Sequence, residues 1–458
     1  MTSEPATGKA FEPTSVESFR FVDYAWDRAT ATARLHYAFE PGPDFIEEIR
    51  FPDARPTAGE REDQALDRCL RQLFLVCGVS YYKAAVPEHI IVEPFDLTPA
   101  GASFLGTLYR EGLGEMAHQN GLDLSGLRFP YDPEARLAPI ELALPRRTAV
   151  AVGGGKDSIV ALELLAEAGE PMALLSVGDH GPVREVCEVA RRRHPGLPML
   201  RIQRQVSPQL LELNRCGALN GHIPISAVFA FLLATAGVLH GFDAAAVGNE
   251  RSANVGSLVD GREVNHQYSK SFACEKAMAA WMRSEAVAGF DYFSVLRPLS
   301  ELAIARAFAE MTDYHDVFLS CNAAFRLEGA ATTWCGDCPK CRFVFLALAP
   351  FLEKERLLAI FGGRDLLAQP EQTAGFRALA GLEGPKPFEC VGEIMESAAA
   401  LEALCQAPAW RDAPVLRALR DEVARFAASH RGELDSWSRV SSEHALPDRL
   451  CEAVLAVG

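Results

Sequence analysis

Val150-Ala-Val-Gly-Gly-Gly-Lys-Asp-Ser158 is the stretch on which the reading of this chain turns. Thr148 to Val152 is a short apolar run with β character, and Ile159 to Leu165 is mostly apolar and suits a helix. Between them stand Gly153, Gly154 and Gly155, then Lys156, Asp157 and Ser158. The order predicts a strand, a glycine loop and a helix start. Backbone N–H groups at such a start lie at the positive end of a helix dipole and suit an anion, typically a phosphate. Glycines let the backbone approach that phosphate with no Cβ in the way. The plainer alternative, a glycine turn between strand and helix, does not require Lys-Asp-Ser in that order.

Two familiar phosphate loops do not fit. A Walker A loop needs glycine, four residues, then Gly-Lys-Ser/Thr, but here Asp157 follows Gly155-Lys156 and the earlier glycine position holds Val150. A dinucleotide fingerprint needs a glycine where Ser158 stands. The run resembles the PP-loop of ATP pyrophosphatases, Ser-Gly-Gly-x-Asp-Ser after a strand. Gly154, Gly155, Asp157 and Ser158 match it, and Gly153 replaces the first serine.

Composition narrows the setting. The 458 residues suffice for two or three domains with real cores. A hydrophobic content of 49% and a charged content of 23% are ordinary for a globular chain. A formal charge of −16 argues against a broad nucleic-acid footprint. Met1 to Thr14 is polar and lacks the apolar centre of a signal peptide. The longest apolar stretch, Ile223 to Leu239, is interrupted by Pro224, Ser226, Thr235 and Gly237, so no membrane span is expected. The expected location is cytoplasmic, with no nucleic-acid or membrane partner. The twelve cysteines are then reduced thiols or metal ligands.

Along the chain, residues 1–14 are expected to be disordered. Phe19–Trp26 and Ala31–Phe39 alternate as a hairpin, Phe45–Phe51 adds a strand, and Glu62–Val76 has helical periodicity up to Gly78. His89–Val92 reads as a strand. Thr98-Pro99 opens a helix to about Gln119. Residues 15–145 therefore read as an α+β domain ending in a proline-rich linker, Asp132 to Pro145. Its loop Val79-Ser80-Tyr81-Tyr82-Lys83 is either a ligand contact or a packed loop with exposed hydroxyls.

From Arg146 strands alternate with helices. The strands are Thr148–Val152, Met172–Val177, Met199–Ile202, Ala244–Val247 and Tyr292–Val295. The helices lie near Ser158–Ala168, Val183–Arg193, Pro224–Leu239, Phe272–Ala288 and Glu301–Glu310. This rhythm predicts an α/β domain, 146–350, built on a doubly wound parallel sheet. Ligands of such sheets sit at the carboxyl ends of strands, where Asp179-His180, Gly248-Asn249-Glu250-Arg251 and Arg297-Pro298 occur. Residues 351–458 are helical and charged, a packing or interface segment.

Cys335-Gly-Asp-Cys338-Pro-Lys-Cys341 holds three thiols three residues apart, and Cys321 lies fourteen positions before the first. Four thiolates are the ligand set of structural zinc. An iron–sulfur cluster is the alternative, but nothing near the site is redox-specific. The other eight cysteines read as small core residues.

The deazaguanine nitrile synthases that make preQ0 are PP-loop proteins that also carry a late cysteine zinc site, and Leu296-Arg297-Pro298-Leu299-Ser300-Glu301-Leu302 resembles the segment opening the last helix of many PP-loop domains. Four segments narrow the resemblance: Gly-Gly-Gly-Lys-Asp-Ser (153–158), Gly-Asn-Glu-Arg-Ser-Ala-Asn (248–254), Asn-His-Gln-Tyr-Ser-Lys-Ser (265–271) and Trp-Cys-Gly-Asp-Cys-Pro-Lys-Cys (334–341). Together they resemble the MurL family of ATP-dependent UDP-N-acetylmuramoyl-L-alanyl-L-glutamate epimerases, over most of the chain. The resemblance implies conversion of the terminal L-Glu of a nucleotide-linked muramoyl dipeptide to D-Glu for peptidoglycan synthesis, with ATP split to AMP and diphosphate and a need for magnesium.

The chemistry is coherent. An α-proton beside an ionised carboxylate is a very weak acid, because its loss builds a second negative charge. Adenylation removes the first charge and creates an electron sink. A base then takes the α-proton, an acid returns one to the opposite face, and hydrolysis of the anhydride completes the epimerisation.

Roles follow as expectations. Gly153, Gly154, Gly155 and the backbone at Lys156 cradle phosphate, Ser158 donates to it, and Asp157 is the magnesium candidate. Lys156 either neutralises phosphate or is a solvated lysine. Asp179 and His180 are candidates to touch the nucleotide; an ordinary loop histidine is the alternative for His180. His266, Tyr268 and Lys270 share one side if their segment is extended and are the proton-transfer candidates, against a polar loop as the plain alternative. His222 is a weaker choice. Asn249, Glu250, Arg251 and Arg297 are candidates for the substrate site, the arginines suiting carboxylates or phosphates; structural ion pairs are the competing explanation for the charged ones. The rival functions are another AMP-forming enzyme, preQ0 synthase-like or tRNA-modifying, and a non-catalytic nucleotide-binding or metal-stabilised interaction protein.

Overall fold

The computed structural model describes residues 10–259, 262–325, 332–383, 386–387 and 389–458. In chain order its strands are β1 (Ser18–Asp27), β2 (Thr32–Glu40), β3 (Asp44–Arg50), β4 (His89–Val92), β5 (Thr148–Ala151), β6 (Met172–Val177), β7 (Met199–Gln205), β8 (Ala244–Val247), β9 (Ser257–Val259), β10 (Arg262–Val264) and β11 (Asp291–Ser294). Helices separate most of them, so the class is α/β. The chain forms two compact units that alternate along the sequence. One comprises Met1–Pro145, Arg201–Asp243 and Ala277–Asp291, the other Arg146–Leu200, Ala244–Lys276 and Tyr292–Gly458.

In the first unit β1, β2 and β3 form an antiparallel meander, β4 joins β1 in parallel and β3 pairs antiparallel with β7. Alternation decides the faces: Phe19, Phe21, Leu35, Tyr37 and Phe39 are all buried. The helix Glu60–Cys77 supplies Phe74, on which Tyr37 stacks at 5.1 Å while its hydroxyl donates to the Phe74 carbonyl at 2.8 Å. Thr98 caps the next helix, its Oγ1 accepting from Gly101 N at 3.0 Å. The single helix expected to reach Gln119 is two, Pro99–Gly112 and Gly114–Asn120, because glycines at the joint weaken it.

Two further expectations change in this unit. Of the amino-terminal stretch expected to be disordered, residues 1–9 lie outside the described residues. Phe11, however, stacks on Phe39 and donates to the Cys216 carbonyl at 2.8 Å. Val79–Tyr82 is a buried helical turn whose polar groups are taken up by protein. Tyr81 donates to Glu47 at 2.8 Å, Arg204 donates to Glu47 at 2.7 Å and to Ser80 at 2.9 Å, and Lys83 donates to Asn220. The segment is packed, as the second alternative has it, but the hydroxyls of Ser80, Tyr81 and Tyr82 are buried rather than exposed.

In the second unit the strand order is β11-β8-β5-β6. β5 pairs in parallel with β6, Thr148 opposite Met172, and with β8, Thr148 opposite Ala244. β8 is wholly buried and consists of three alanines and a valine. Such small side chains leave room for helices to pack closely. Helices Pro339–Leu348, Ile394–Gln406, Pro414–Ser429 and Asp448–Leu455 belong to this unit. Their Phe343, Leu401, Leu416 and Leu450 share one core with Val150 and Leu174. Glu170 fastens the last of these helices, accepting from Arg449 Nε and Nη2, each at 2.9 Å. Among the described residues, no helix is long and apolar enough to cross a membrane.

Candidate functional site

The glycine loop lies where β5 ends, between Val152, whose N–H reaches the Leu175 carbonyl at 2.9 Å, and the helix Lys156–Glu167. Gly154 has φ +82°, a left-handed conformation that favours glycine. Gly248, at the end of β8, comes so near the loop that a Cβ there would stand 2.8 Å from the carbonyl oxygen of Asp157. Gly155 caps the helix without a side chain, so its first turn has no side-chain acceptor. Ser158 Oγ donates to the Gly155 carbonyl at 2.9 Å, so in this structure its proton points back into the turn.

Lys156 corrects the solvated alternative. Its side chain is 2% exposed, and Nζ is hydrogen-bonded to both Asp157 and Glu301. Burial works against its charge, but the two carboxylates outweigh it and hold the ammonium above the ordinary lysine range. The same exchange affects the partners. Burial would raise Asp157, yet Lys156, Lys340 and Lys270 leave it lowered, whereas burial leaves Glu301 raised. Glu301 begins the helix Glu301–Ala309, and its backbone N–H donates to Glu396 at 2.5 Å.

Buried polar atoms without a hydrogen-bond partner gather around this charge cluster. Among the described residues they include Asn249 Nδ2, Glu250 Oε2, Ser252 Oγ, Glu301 Oε1 and Ser320 Oγ. Ser320 lies against Gly155, where an added Cβ would meet its Cβ at 3.3 Å, and its neighbour Leu319 donates to Gly154 at 3.0 Å. Orphaned polar groups are uncommon in folded interiors. Ser320 Oγ, beside the helix amino terminus, can donate to an anion there, whereas the unpartnered oxygens of Glu250 and Glu301 call for a cation or a donor.

The other expected residues fall in different places. Asp179 and His180 are exposed and line a cavity of about 630 Å³ with Pro182, Phe318, Leu319 and Trp334. Asp179 also pairs with Arg184 at 3.2 Å. Arg251 stacks on Trp437 at 4.3 Å and donates to the Arg439 carbonyl at 3.0 Å. Arg297 takes the ion-pair alternative. It is fully buried against Glu275 at 2.7 Å and donates to the Glu250 carbonyl, also at 2.7 Å.

The segment 265–270 is not extended but a turn leading into the short 3-10 helix Tyr268–Lys270. Asn265 causes the bend, its side chain accepting from Gln267 N at 2.8 Å and donating to Ala253 at 3.0 Å. The shared side expected for His266, Tyr268 and Lys270 therefore does not arise from strand geometry. His266 is buried and Tyr268 half-buried. Lys270 joins the charge cluster: burial opposes its charge, and Cys390, Glu250, Asp157 and Glu301 together keep it raised.

Cys321, Cys335, Cys338 and Cys341 have their sulfur atoms within 4.8 Å of one another, and Cys335 and Cys341 are 3.7 Å apart. A tetrahedron with zinc–sulfur bonds of about 2.3 Å has edges of about 3.8 Å, so the set fits such an ion. Backbone N–H groups of Cys335 and Cys341 point at Cys321 and Cys338 at 3.4 Å, as around thiolates. Cys338 caps the helix Pro339–Leu348, whose first turn presents Lys340, buried, its ammonium reaching the Cys390 carbonyl and bearing on Asp157 and Glu301.

Glu301, Lys340, Ser320, Glu396 and Cys390 were not singled out by their spacing. Glu301 and Lys340 stand inside segments that carry the family resemblance, which was the available signal.

Comparison with known proteins accounts for nearly the whole chain. Residues 10–295 match the MurL N-terminal domain and residues 317–434 the MurL C-terminal domain. The chain is 42% identical to the UDP-N-acetyl-alpha-D-muramoyl-L-alanyl-L-glutamate epimerase of Xanthomonas oryzae pv. oryzae (strain MAFF 311018), over 98% of this chain and 99% of that protein. It is 44% identical to the protein of that name from Salinispora tropica (strain ATCC BAA-916 / DSM 44818 / JCM 13857 / NBRC 105044 / CNB-440), over 90% of each. The chain belongs to the MurL family.

Proposed function

We propose that this protein epimerises the terminal L-Glu of UDP-N-acetylmuramoyl-L-Ala-L-Glu to D-Glu, adenylating the glutamyl carboxylate with ATP and releasing AMP and diphosphate. The relatives' names support the epimerisation. The observation carrying the ATP step is the cluster of unpartnered buried polar atoms around an uncapped, glycine-started helix. Residues 146–350 act in this proposal as a PP-loop domain, working in the cytoplasm.

The residues divide the work by charge. Gly153 to Gly155 and the first turn of the helix offer N–H groups to the phosphates. The cavity at Asp179 and His180 takes the nucleoside. Asp157, with Glu301 and Glu250, supplies the hard oxygen donors that suit magnesium, and the free oxygens of both glutamates fit that use. Magnesium there would neutralise charge building on the phosphates. Lys156, Lys270 and Lys340 remain cations and stabilise the attacking carboxylate and departing diphosphate. The four thiolates hold structural zinc and keep Lys340 in place.

The deciding assay supplies ATP, magnesium and UDP-N-acetylmuramoyl-L-Ala-L-Glu, followed by chiral analysis of glutamate released by acid hydrolysis. D-Glu with equimolar diphosphate is expected. Diphosphate release without D-Glu would indicate another AMP-forming reaction. Deuterium from solvent should enter the α-carbon only when ATP is present.

A further inference from the structure

Gln267 is 2% exposed, and both atoms of its carboxamide, Oε1 and Nε2, lack a hydrogen-bond partner. Burying an amide unpaired at both ends is costly, since acceptor and donor have each lost water without replacement. Its backbone, by contrast, is fully used. The N–H donates to Asn265 Oδ1 at 2.8 Å, and the carbonyl accepts from Lys270 N at 2.7 Å. The turn is therefore fixed, and the side chain alone is left without partners.

This turn is bonded to the loop that follows β8. Asn265 donates to the Ala253 carbonyl at 3.0 Å, and Asn254 Oδ1 accepts from Phe272 N at 2.7 Å. Arg297 donates to the carbonyls of both Glu250 and Lys270. The loop begins at Gly248, packed on the Asp157 carbonyl at the helix start. Within it Ser252 Oγ and Glu250 Oε2 are also buried and unpartnered. Two joined loops beside the proposed phosphate cradle thus carry four such atoms, two of them on Gln267. A metal ion answers for the oxygen of Glu250 but not for an amide donor.

A carboxamide pairs best with a donor and an acceptor side by side, which a phosphate does not offer. An extended amino-acid residue does, because its N–H and C=O lie on one edge. In the proposed reaction the glutamyl carboxylate attacks a phosphate held by the glycine loop, so the glutamyl residue is the part of the substrate that meets this turn. We propose that the Gln267 carboxamide grips the activated glutamyl residue, Oε1 accepting from its N–H and Nε2 donating to its acyl oxygen, an inference resting on the epimerase function above. A base on the protein takes the α-proton. The C–H electron pair moves into the bond between the α-carbon and the acyl carbon. The carbonyl pair moves onto the acyl oxygen, where the Nε2 donor meets the growing charge. The grip also fixes the two faces of the α-carbon, so a proton returned opposite the base gives the D configuration. The carbonyl re-forms, and water cleaves the anhydride to AMP and the D-carboxylate.

The test uses full-length Gln267→Met and Gln267→Leu. Without ligand, their thermal midpoints should equal or exceed that of wild type, because apolar atoms replace two unpaired polar ones. A clear drop in both variants would show the carboxamide bonded inside the fold and overturns the proposal. The dipeptide substrate should raise the midpoint of wild type more than that of either variant, and equal shifts overturn it. At saturating substrate the first-turnover burst of diphosphate should stay within about threefold of wild type, while ATP-dependent α-deuteration falls at least ~100-fold. Deuteration within about threefold of wild type overturns the proposal. So does an equal loss of burst and deuteration, which would assign Gln267 to the ATP step. Weakened binding of a non-hydrolysable ATP analogue overturns it as well, since the carboxamide would then hold the nucleotide base. Failure of the underlying function is seen separately: wild type itself would release diphosphate without making D-Glu, and the role of Gln267 would fall with it.

Discussion

Arg297 Nη2 lies 2.7 Å from Glu275 Oε2, and neither side chain reaches solvent. The same guanidinium donates to the carbonyls of Glu250 and Lys270, two residues whose side chains belong to the charge cluster. Arg297 therefore fixes the main chain beneath the site. Removing one partner of a buried pair costs about 3–5 kcal/mol, because the other charge is left uncompensated. Arg297→Met should lower the midpoint of urea unfolding by a corresponding amount. Arg297→Lys should recover only part of it, since one ammonium cannot serve a carboxylate and two carbonyls in the planar geometry of arginine. A normal midpoint with a raised KM would instead assign Arg297 to the substrate.

Lys156 is sealed between Asp157 and Glu301 and cannot be replaced by an uncharged residue without leaving the buried Glu301 carboxylate facing the half-buried Asp157 carboxylate. Lys156→Met should reduce diphosphate release at least ~100-fold and destabilise the fold by about 3–5 kcal/mol. Adding Glu301→Gln should restore part of the stability but not the activity, with a coupling energy of about 0.5–3 kcal/mol in a double-mutant cycle. Strict additivity of the two substitutions would deny the pairing.

The strands of the second unit were legible because each is a compact apolar run bounded by turn residues. Met172–Val177 and Ala244–Val247 were predicted with the bounds observed. The glycine loop was legible because glycines there answer a local need, at Gly154 for a left-handed turn. The site around it was not. Glu301, Lys340 and Glu396 lie 145 or more positions from the loop and meet it only through tertiary packing, which leaves no periodic trace. Arg297 was ambiguous for a related reason: arginine beside a strand end serves substrate or ion pair equally well, and only Glu275, 22 positions earlier, decides. The segment 265–270 misled because alternation of polar residues says nothing about a backbone that Asn265 bends through its own side chain.

The thiolate cluster and the charge cluster share one helix start, since Lys340 sits between Cys338 and Cys341 in the first turn of Pro339–Leu348. Loss of the metal should therefore affect catalysis as well as stability. Purified protein is expected to hold about one zinc per chain by elemental analysis. Cys335→Ser, or treatment with a strong chelator in mild denaturant, should remove it, lower the thermal midpoint and reduce diphosphate release, with re-addition of zinc restoring the chelated wild type. Full diphosphate release from zinc-free protein would show that Lys340 holds its position without the metal.

Glu396 gives stability a dependence on pH with a definite sign. Burial, and then the charge of Glu301, push its carboxyl from an ordinary 4.5 up to about 8, against hydrogen bonds from the N–H groups of Glu393 and Glu301. The folded state thus holds a proton that the unfolded chain has released over this window. The contribution is fully present below about pH 4.5 and is lost as pH rises through about 8. Glu396→Gln remains neutral throughout, but its amide group faces one N–H donor that the carboxyl accepts, which should cost about 1–3 kcal/mol at pH 5. As pH climbs to 8.5, wild type alone incurs the cost of ionising a buried carboxyl, so the gap should narrow or reverse. Urea unfolding of both proteins at about pH 5, 6.5 and 8.5 checks this. A gap that stays constant across the range would place the titrating group elsewhere.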